Sequence, residues 1–271
     1  MLPSFEYAAP RSRVQLLDLL AERGHEARLL AGGTDLLVGM RSGAVAPALV
    51  VDLKRVAGYG GLAWSEAEGL VIGPNATIGD LLREKRVREE YPLLAACARD
   101  FATGQVRNRA TVIGNAVNAS PAADMAPALL CLEARAVLAS RSSERELPLR
   151  EFFAGPKRSA ARADEVVERI VVPAESARAR GDYRKLKRIG GHDLALVGVA
   201  VMKKDGVLRL GLASLGPTPL VVDGLRESDP PDAVVAAAER SMSPIDDLRC
   251  SREYRAFMAG VLVRRLLEEV A

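Results

Sequence analysis

Two glycine-bearing stretches carry the residue types that could bind an anion. In the first, "LLAGGTDLL", Gly32 and Gly33 follow an apolar run and precede Thr34 and Asp35. Adjacent glycines let backbone N–H groups converge on one point because no Cβ stands in the way. A helix beginning at Thr34 would add its own unpaired donors. The stretch is a candidate diphosphate site, although a strand-to-helix turn that binds nothing would contain the same glycines.

The second stretch, "TVIGNAVNASPAAD", is predicted to be a loop rich in polar groups. It holds a hydroxyl at Thr111, amides at Asn115 and Asn118, and a carboxylate at Asp124. Hydroxyls and neutral amides beside one acid suit a polyhydroxyl chain and a ribose. Asn and Asp are also common in turns and caps, so the residues alone leave both interpretations open.

The common nucleotide-binding and hydrolase motifs are missing. No G-x-G-x-x-G follows a strand, and in "GLASLGPT" Pro217 stands where a P-loop needs lysine. The three cysteines, Cys97, Cys131 and Cys250, lie far apart, and the chain has two histidines. We therefore expect no zinc site or iron–sulfur cluster held by this chain alone. The cysteines are interpreted as buried apolar residues of a reducing compartment.

Composition narrows the class of protein. A chain of 271 residues with 49% hydrophobic content can bury a large core, and two or three subdomains are expected. The net charge of +3 and an aromatic content of 4% argue against a nucleic-acid partner. The N-terminus lacks a signal-peptide pattern, and no window approaches about eighteen uncharged apolar residues. We expect a cytoplasmic protein without a membrane span.

Apolar periodicity predicts alternating elements in the first half of the chain. A helix over 14–23, a strand over 28–31, a helix over 34–41 and a buried strand over 48–53 form a βαβ unit. A hairpin turning at Glu68-Gly69 and a helix capped by Thr77 follow. Further predictions are a helix over 91–99, an apolar helix that Pro121 opens, and a strand over 135–140.

The pattern becomes rich in strands from about residue 166. Asp205-Gly206 between two apolar runs is a strong hairpin signal. Helices over 231–240 and 251–270 close the chain. This part is predicted to be an antiparallel sheet covered by helices.

Five stretches, in this order, resemble a known family. They are "LLAGGTDLL", "TVIGNAVNASPAADMAPALL", "FFAG", "YRKLKRIGGHDLALVGVAV" and "SREYRAFMAGVLVRRLL". Across essentially the whole chain they resemble the FAD-binding medium subunit of molybdenum hydroxylases of the carbon monoxide dehydrogenase and xanthine dehydrogenase type. The resemblance implies an α+β fold with a two-subdomain FAD-binding domain of the vanillyl-alcohol-oxidase (PCMH) type, 1–57 and 58–165. A C-terminal α+β domain, 166–271, would complete it.

The resemblance also implies an activity and partners. Members of the family are oxidoreductase subunits that accept electrons from [2Fe-2S] clusters and pass them through FAD to an external acceptor. A small [2Fe-2S] subunit and a large molybdopterin subunit would complete the assembly, as a dimer of heterotrimers. No catalytic residue is expected on this chain, and substrate turnover is not expected from it alone.

The resemblance places the cofactor contacts residue by residue. Backbone donors of the first stretch would wrap the pyrophosphate, and the second stretch would contact the pyrophosphate and ribityl region. An acid would anchor a hydroxyl of FAD, two apolar residues would form walls, and Lys185 would lie near the flavin ring, unless it is a solvated strand lysine. The implied cofactor-binding residues are Leu29, Leu30, Ala31, Gly32, Gly33, Thr34, Asp35, Leu36, Phe101, Thr111, Gly114, Asn115, Asn118, Asp124, Val167 and Lys185. Arg188, His192 and Asp193 belong to the same family stretch without an assigned role.

Two positions depart from the family pattern. Ile113 stands where the family usually has a second glycine, and isoleucine would be strained if that position required a positive φ. We expect Gly114 to make the turn instead.

Pro156 follows "FFAG" where nicotinamide-dependent relatives have an aromatic residue. Proline has no π face to stack on a dinucleotide, which predicts transfer to a quinone, a dye or another protein rather than to NAD⁺.

Two other functions remain open from the sequence. A stand-alone flavin oxidase of the same cofactor fold would need its own acid–base residues and a large substrate-binding domain, which the short C-terminal part does not offer. A flavin-free scaffold that organises partner subunits is the second alternative, and Ile113 is the residue that favours it.

Overall fold

A computed structural model describes residues 2–189 and 193–270. Its helices are α1 (Arg13–Arg23), α2 (Leu36–Arg41), α3 (Ile78–Arg83), α4 (Lys85–Glu90), α5 (Pro92–Asp100), α6 (Gly104–Arg107), α7 (Val112–Val117), α8 (Ala126–Cys131), α9 (Leu149–Phe152), α10 (Pro231–Ser241) and α11 (Arg252–Glu269). Its strands are β1 (Glu6–Ala8), β2 (Ala27–Leu30), β3 (Leu49–Asp52), β4 (Leu62–Ser65), β5 (Gly69–Ile72), β6 (Arg135–Ala139), β7 (Glu144–Pro148), β8 (Phe153–Gly155), β9 (Arg158–Ser159), β10 (Val166–Val172), β11 (Arg180–Leu186), β12 (Val197–Lys204), β13 (Val207–Ala213) and β14 (Leu220–Arg226).

The first sheet is parallel, with strand order β1-β3-β2. β3 is buried along its whole length, including Asp52 at its end, and its apolar residues 49–51 are typical of a buried strand. Leu16 and Leu20 of α1 pack with Val51 in a core of their own. The predicted βαβ unit is confirmed by the parallel pairing of β2 with β3. The short strand β1 was not predicted, because its three residues are too few to show the alternation of a strand.

The second sheet has the order β4-β5-β10-β6-β7 and carries the largest core of the described chain. Its central strand, β10, pairs antiparallel with both β5 and β6. β10 begins at Val166, where the sequence places the start of the third domain. The predicted boundary thus falls immediately before a central strand of the second sheet. The division into 1–57, 58–165 and 166–271 stays a prediction.

The third sheet is an antiparallel meander, β11-β12-β13-β14, whose inner strands β12 and β13 are largely buried. Val199 and Val201 share a core with α10 and α11, while Ala200 and Met202 face the large core that includes α5 and α8. This alternation follows from the period of two in a strand. The Asp205-Gly206 turn has positive φ at both residues, 51° and 80°, as expected for a two-residue hairpin.

Three local predictions are wrong. The stretch 111–118 is not a loop, because 112–117 forms α7 with Thr111 as its N-cap. The apolar helix begins at Ala126 rather than Pro121, and Pro127 occupies its first turn. The helix after the glycines begins at Leu36 rather than Thr34.

In the part of the chain that the structure describes, no helix combines the length and apolar character that crossing a bilayer would require.

Candidate functional site

The Gly32–Gly33 turn lies directly against the second polar stretch. A Cβ on Gly32 would overlap the carbonyl oxygen of Arg109, so only glycine lets the two segments approach this closely. Gly33 has a φ of 75°, a left-handed conformation that glycine adopts without steric penalty. Both glycines are therefore required by the backbone path. The structure brings together the two stretches that the sequence singled out.

A side-chain hydrogen bond also joins these stretches. Asn118 Nδ2 donates to Asp35 Oδ1 at 2.8 Å. Asp35 stands at the N-cap of α2, yet its side chain makes no capping bond there. The carboxylate instead accepts from Asn118, the C-cap residue of α7.

Three predicted site residues lie on or next to the short helix α7: Thr111 is its N-cap, and Gly114 and Asn115 are within it. Thr111 Oγ1 accepts from the Gly114 N–H at 3.1 Å, and a Cβ on Gly114 would lie 2.7 Å from that hydroxyl. Asn115 Oδ1 accepts from the Met125 N–H at 3.2 Å and so holds the segment that leads into α8. The sequence missed this helix because Gly and Asn are poor helix formers.

Ile113 lies within α7, where the backbone is helical and φ is negative. Its side chain is buried in the large core. The departure from the family pattern therefore introduces no left-handed strain at Ile113. The expectation that Gly114 makes a turn is wrong, because Gly114 lies inside α7. Tolerance of isoleucine by the FAD site stays a prediction.

A cleft of about 730 Å³ opens beside the glycine turn, between the first and second sheets. Ala31, Gly32 and Thr111 of the predicted site line it. Residues that sequence reasoning missed also line it: Lys54, Tyr59, Asn75, Thr77, Asp80, Arg83, Asn108 and Arg109. The glycine-rich stretch 58–61 around Tyr59 was a signal that could have pointed to this wall.

Asn75 shapes one wall of the cleft. Its Nδ2 donates to the carbonyl oxygens of Leu53 and Tyr59, the latter at 2.6 Å. These two bonds tie the chain after β3 to the chain after β5. Its Oδ1 is buried and has no hydrogen-bond partner within the described residues. The amide therefore keeps one acceptor unsatisfied at the wall.

Asp124 and Lys185 form a buried ion pair away from this cleft. Lys185 Nζ lies 2.9 Å from Asp124 Oδ2, and 1% and 8% of the two side chains are exposed. The Tyr183 hydroxyl donates to Asp124 Oδ1 at 3.3 Å. Burial raises the pKa of Asp124, and the charge and hydrogen bond of Lys185 oppose that rise. Lys185 is thus not a solvated strand lysine.

The remaining predicted residues are distributed over the same framework. Leu29 and Leu30 lie in β2, and Leu36 begins α2. Phe101 and Val167 are buried in the large core, so neither wall residue is open to solvent. Asp193 Oδ1 accepts from the Leu194 N–H at 2.9 Å, and His192 lies outside the described residues. The cofactor roles of all these residues stay predictions.

The donor set fits FAD. Ala31 and Gly32 line the cleft, and Gly32 carries no side chain there, which suits a diphosphate bound by main-chain donors. Thr111 lines the same cleft and Asn118 is hydrogen-bonded to Asp35 of the turn, and their hydroxyl and amide groups suit the hydroxyls of the ribityl chain and ribose. Within the described ranges, His, Cys, Asp and Glu side chains do not gather into a group of three that could hold a metal ion. The α+β architecture and this donor set fit a flavin-binding protein.

Comparisons with known proteins agree. Residues 3–175 match the family model described as the FAD binding domain in molybdopterin dehydrogenase. The chain is 35% identical to the carbon monoxide dehydrogenase medium chain of Hydrogenophaga pseudoflava, over 98% of this chain and 96% of the relative. It is 31% identical to the corresponding chain of Afipia carboxidovorans, over 99% and 97%.

A solved structure shows the same fold. In carbon monoxide dehydrogenase from Hydrogenophaga pseudoflava lacking the Mo-pyranopterin moiety, one chain superimposes with a TM-score of 0.91 at 33% identity, covering 100% of this chain and 98% of that chain. The protein therefore belongs to the family of FAD-binding domains of molybdopterin dehydrogenases. It is a medium-chain FAD-binding subunit of an oxidoreductase, and its cofactor is FAD. The predicted α+β, PCMH-type fold is confirmed.

Proposed function

We propose that the chain is the electron-transfer subunit of a molybdenum hydroxylase. It accepts electrons from [2Fe-2S] clusters of a partner subunit and passes them to an external acceptor. The observation that carries the proposal is the contact of the Gly32 turn with the Arg109–Ala110 backbone in a chain of this family. FAD supplies the chemistry, since a flavin exchanges electrons both singly and in pairs.

The chain's own residues bind and orient the cofactor. Main-chain donors of 31–35 hold the pyrophosphate, while Thr111, Asn115 and Asn118 hold the neighbouring hydroxyls. By resemblance to the family, Lys185 is proposed to lie near the flavin ring, with its positive charge balanced by the Asp124 carboxylate. The buried carboxylate of Asp124 fixes Lys185 in place at 2.9 Å.

Partner subunits complete the electron path. With three cysteines in its sequence, the chain lacks the four thiolates that one ordinary cluster requires. We propose a small [2Fe-2S] subunit and a large molybdopterin subunit as partners, arranged as a dimer of heterotrimers in the cytoplasm. The relatives are named as medium chains of carbon monoxide dehydrogenase, which supports this composition.

Spectra and turnover test the proposal. The purified chain, supplied with FAD, is expected to show flavin bands at about 370 and 450 nm and to lack substrate turnover. In the co-purified complex the flavin should be reduced when the large subunit's substrate is added. Turnover by the isolated chain would favour the stand-alone oxidase, and a chain that takes up no FAD would favour the scaffold.

A further inference from the structure

Lys157, in the turn between β8 and β9, reaches the predicted cofactor segments from a third direction. Its Nζ donates to Asn118 Oδ1 at 3.3 Å. Asn118 Nδ2 in turn donates to Asp35 Oδ1 at 2.8 Å. Lys157, Asn118 and Asp35 thus form a bridge, which we call the Lys157 bridge. It joins the β8–β9 turn, the end of α7 and the glycine turn.

The backbone fixes the position of this lysine. Lys157 has a φ of 58° and Ala119 a φ of 44°, and both values lie in the left-handed region that Gly and Asn tolerate best. The Lys157 N–H donates to the Ala119 carbonyl at 2.9 Å. Phe152 and Phe153, just before the turn, are buried in the large core. The strained turn is therefore anchored by the buried residues before it and by the Lys157 N–H, and it places a cation against Asn118.

The charges around the Lys157 bridge suggest what a cation does there: it offsets negative charge near the proposed pyrophosphate. Asp35 places a carboxylate beside the turn where the proposed function puts a pyrophosphate, and like charges at short range repel. Asn118 satisfies one oxygen of Asp35, but its amide is neutral. Lys157 is the cation that the bridge joins to this carboxylate.

We propose that Lys157 is a positioning residue of the FAD site. It offsets the charge of Asp35 and fixes the Asn118 amide, so that the pyrophosphate binds at the Gly32–Gly33 turn. This inference rests on the proposed function, because it requires FAD at that turn.

Binding of FAD to the full-length, cofactor-stripped chain tests the inference, with quenching of flavin fluorescence as the readout. Lys157→Met should weaken binding about tenfold at low salt. The difference from wild type should narrow at about 0.15 M salt and above, because screening weakens the charge term. Lys157→Arg should bind within about twofold of wild type. Arg158→Met is the matched control, since Arg158 is an exposed cation next to Lys157, and its affinity should be unchanged.

A double variant separates charge from structure. If Lys157 acts by offsetting Asp35, Asp35→Asn should recover most of the affinity that Lys157→Met loses. Unchanged affinity in Lys157→Met at every salt concentration would overturn the inference and leave the proposed function intact. So would a loss that Asp35→Asn does not recover and that matches the loss in Arg158→Met. A wild-type chain that binds no FAD would instead overturn the proposed function.

Discussion

Lys185 and Asp124 are joined by a 2.9 Å ion pair with almost no solvent access. Lys185 lies in β11 of the third sheet, and Asp124 lies just before α8. The pair therefore ties the third sheet to the segment that follows α7. The sequence suggested Asp124 only as a partner for a hydroxyl of FAD, whereas the structure also gives its carboxylate a protein partner. Because burial removes the hydration of both charges, each ion is stabilised mainly by the other.

Asp124→Ala should destabilise the cofactor-free chain. Removal of the carboxylate leaves the Lys185 ammonium buried without a counter-charge, which lowers the free energy of unfolding by about 3 to 5 kcal/mol. Urea unfolding monitored by circular dichroism measures the change. The double variant Asp124→Leu/Lys185→Met replaces the pair by apolar groups and should recover most of it. A loss below about 1 kcal/mol in Asp124→Ala would show that the pair does not contribute as its burial suggests.

Gly33→Ala should weaken FAD binding, and Gly43→Ala should not. The two glycines have nearly equal φ values, 75° and 77°, so alanine is strained by about 1 to 2 kcal/mol at either position. A Cβ on Gly33 would also lie 3.0 Å from Leu30 Cδ1, whereas a Cβ on Gly43 would have no neighbour within 4 Å among the described residues. Fluorescence titration measures the FAD dissociation constant of both variants. An effect confined to Gly33→Ala indicates damage to the cofactor-binding turn, whereas both variants share the strain of a positive φ. Equal effects of the two substitutions on the dissociation constant would contradict a specific role for Gly33.

Local patterns predicted several elements correctly. Thr77 caps α3 because its hydroxyl accepts from the Asp80 N–H at 3.1 Å, while the Asp80 carboxylate accepts from the Thr77 N–H at 2.8 Å. A capping box is a contact between neighbours in sequence, so the sequence suffices to find it. The same holds for the Asp205-Gly206 turn, whose backbone requirement is confined to two residues.

Features that depend on distant segments could not be predicted in this way. α7 is short and contains Gly114 and Asn115, so its composition is typical of a loop. Its ends are fixed by contacts with other segments, such as the Val112 N–H to the Ala76 carbonyl. The Asp124–Lys185 pair joins residues 61 positions apart, and no spacing rule connects them. The cleft residues Lys54, Asn75 and Arg109 likewise come from three separate segments.

Glu165 should make stability depend on pH through its ion pair with Arg145. Both carboxylate oxygens accept from Arg145 at 2.7 Å, and the Arg162 N–H donates at 2.8 Å. Burial acts to raise the pKa of Glu165, but the Arg145 bond and charge and the Arg162 N–H outweigh it and lower the pKa below its ordinary value.

Because the folded-state pKa is lowered, the carboxylate contributes stability above its unfolded pKa of about 4.3. That contribution is lost as the pH falls through the folded-state value. Glu165→Gln should therefore lower the free energy of unfolding by about 1 to 3 kcal/mol at neutral pH, with the difference shrinking below about pH 4. Chemical unfolding of both proteins across this range measures it. A difference that is independent of pH would exclude the ion pair as its source.

The reduced complex should transfer electrons poorly to NAD⁺. Pro156 is exposed in the turn before Lys157, at the position where nicotinamide-dependent relatives are expected to stack an aromatic ring on the dinucleotide. Proline has no π face, so a stacking contribution of roughly 0.5 to 1.5 kcal/mol is absent. Stopped-flow reoxidation of the reduced complex is expected to be slow with NAD⁺ and fast with a quinone or dye. Pro156→Tyr, which restores a π face, should accelerate only the NAD⁺ reaction. Rapid, saturable reoxidation of the wild-type complex at micromolar NAD⁺ would show that Pro156 does not exclude the nicotinamide cofactor.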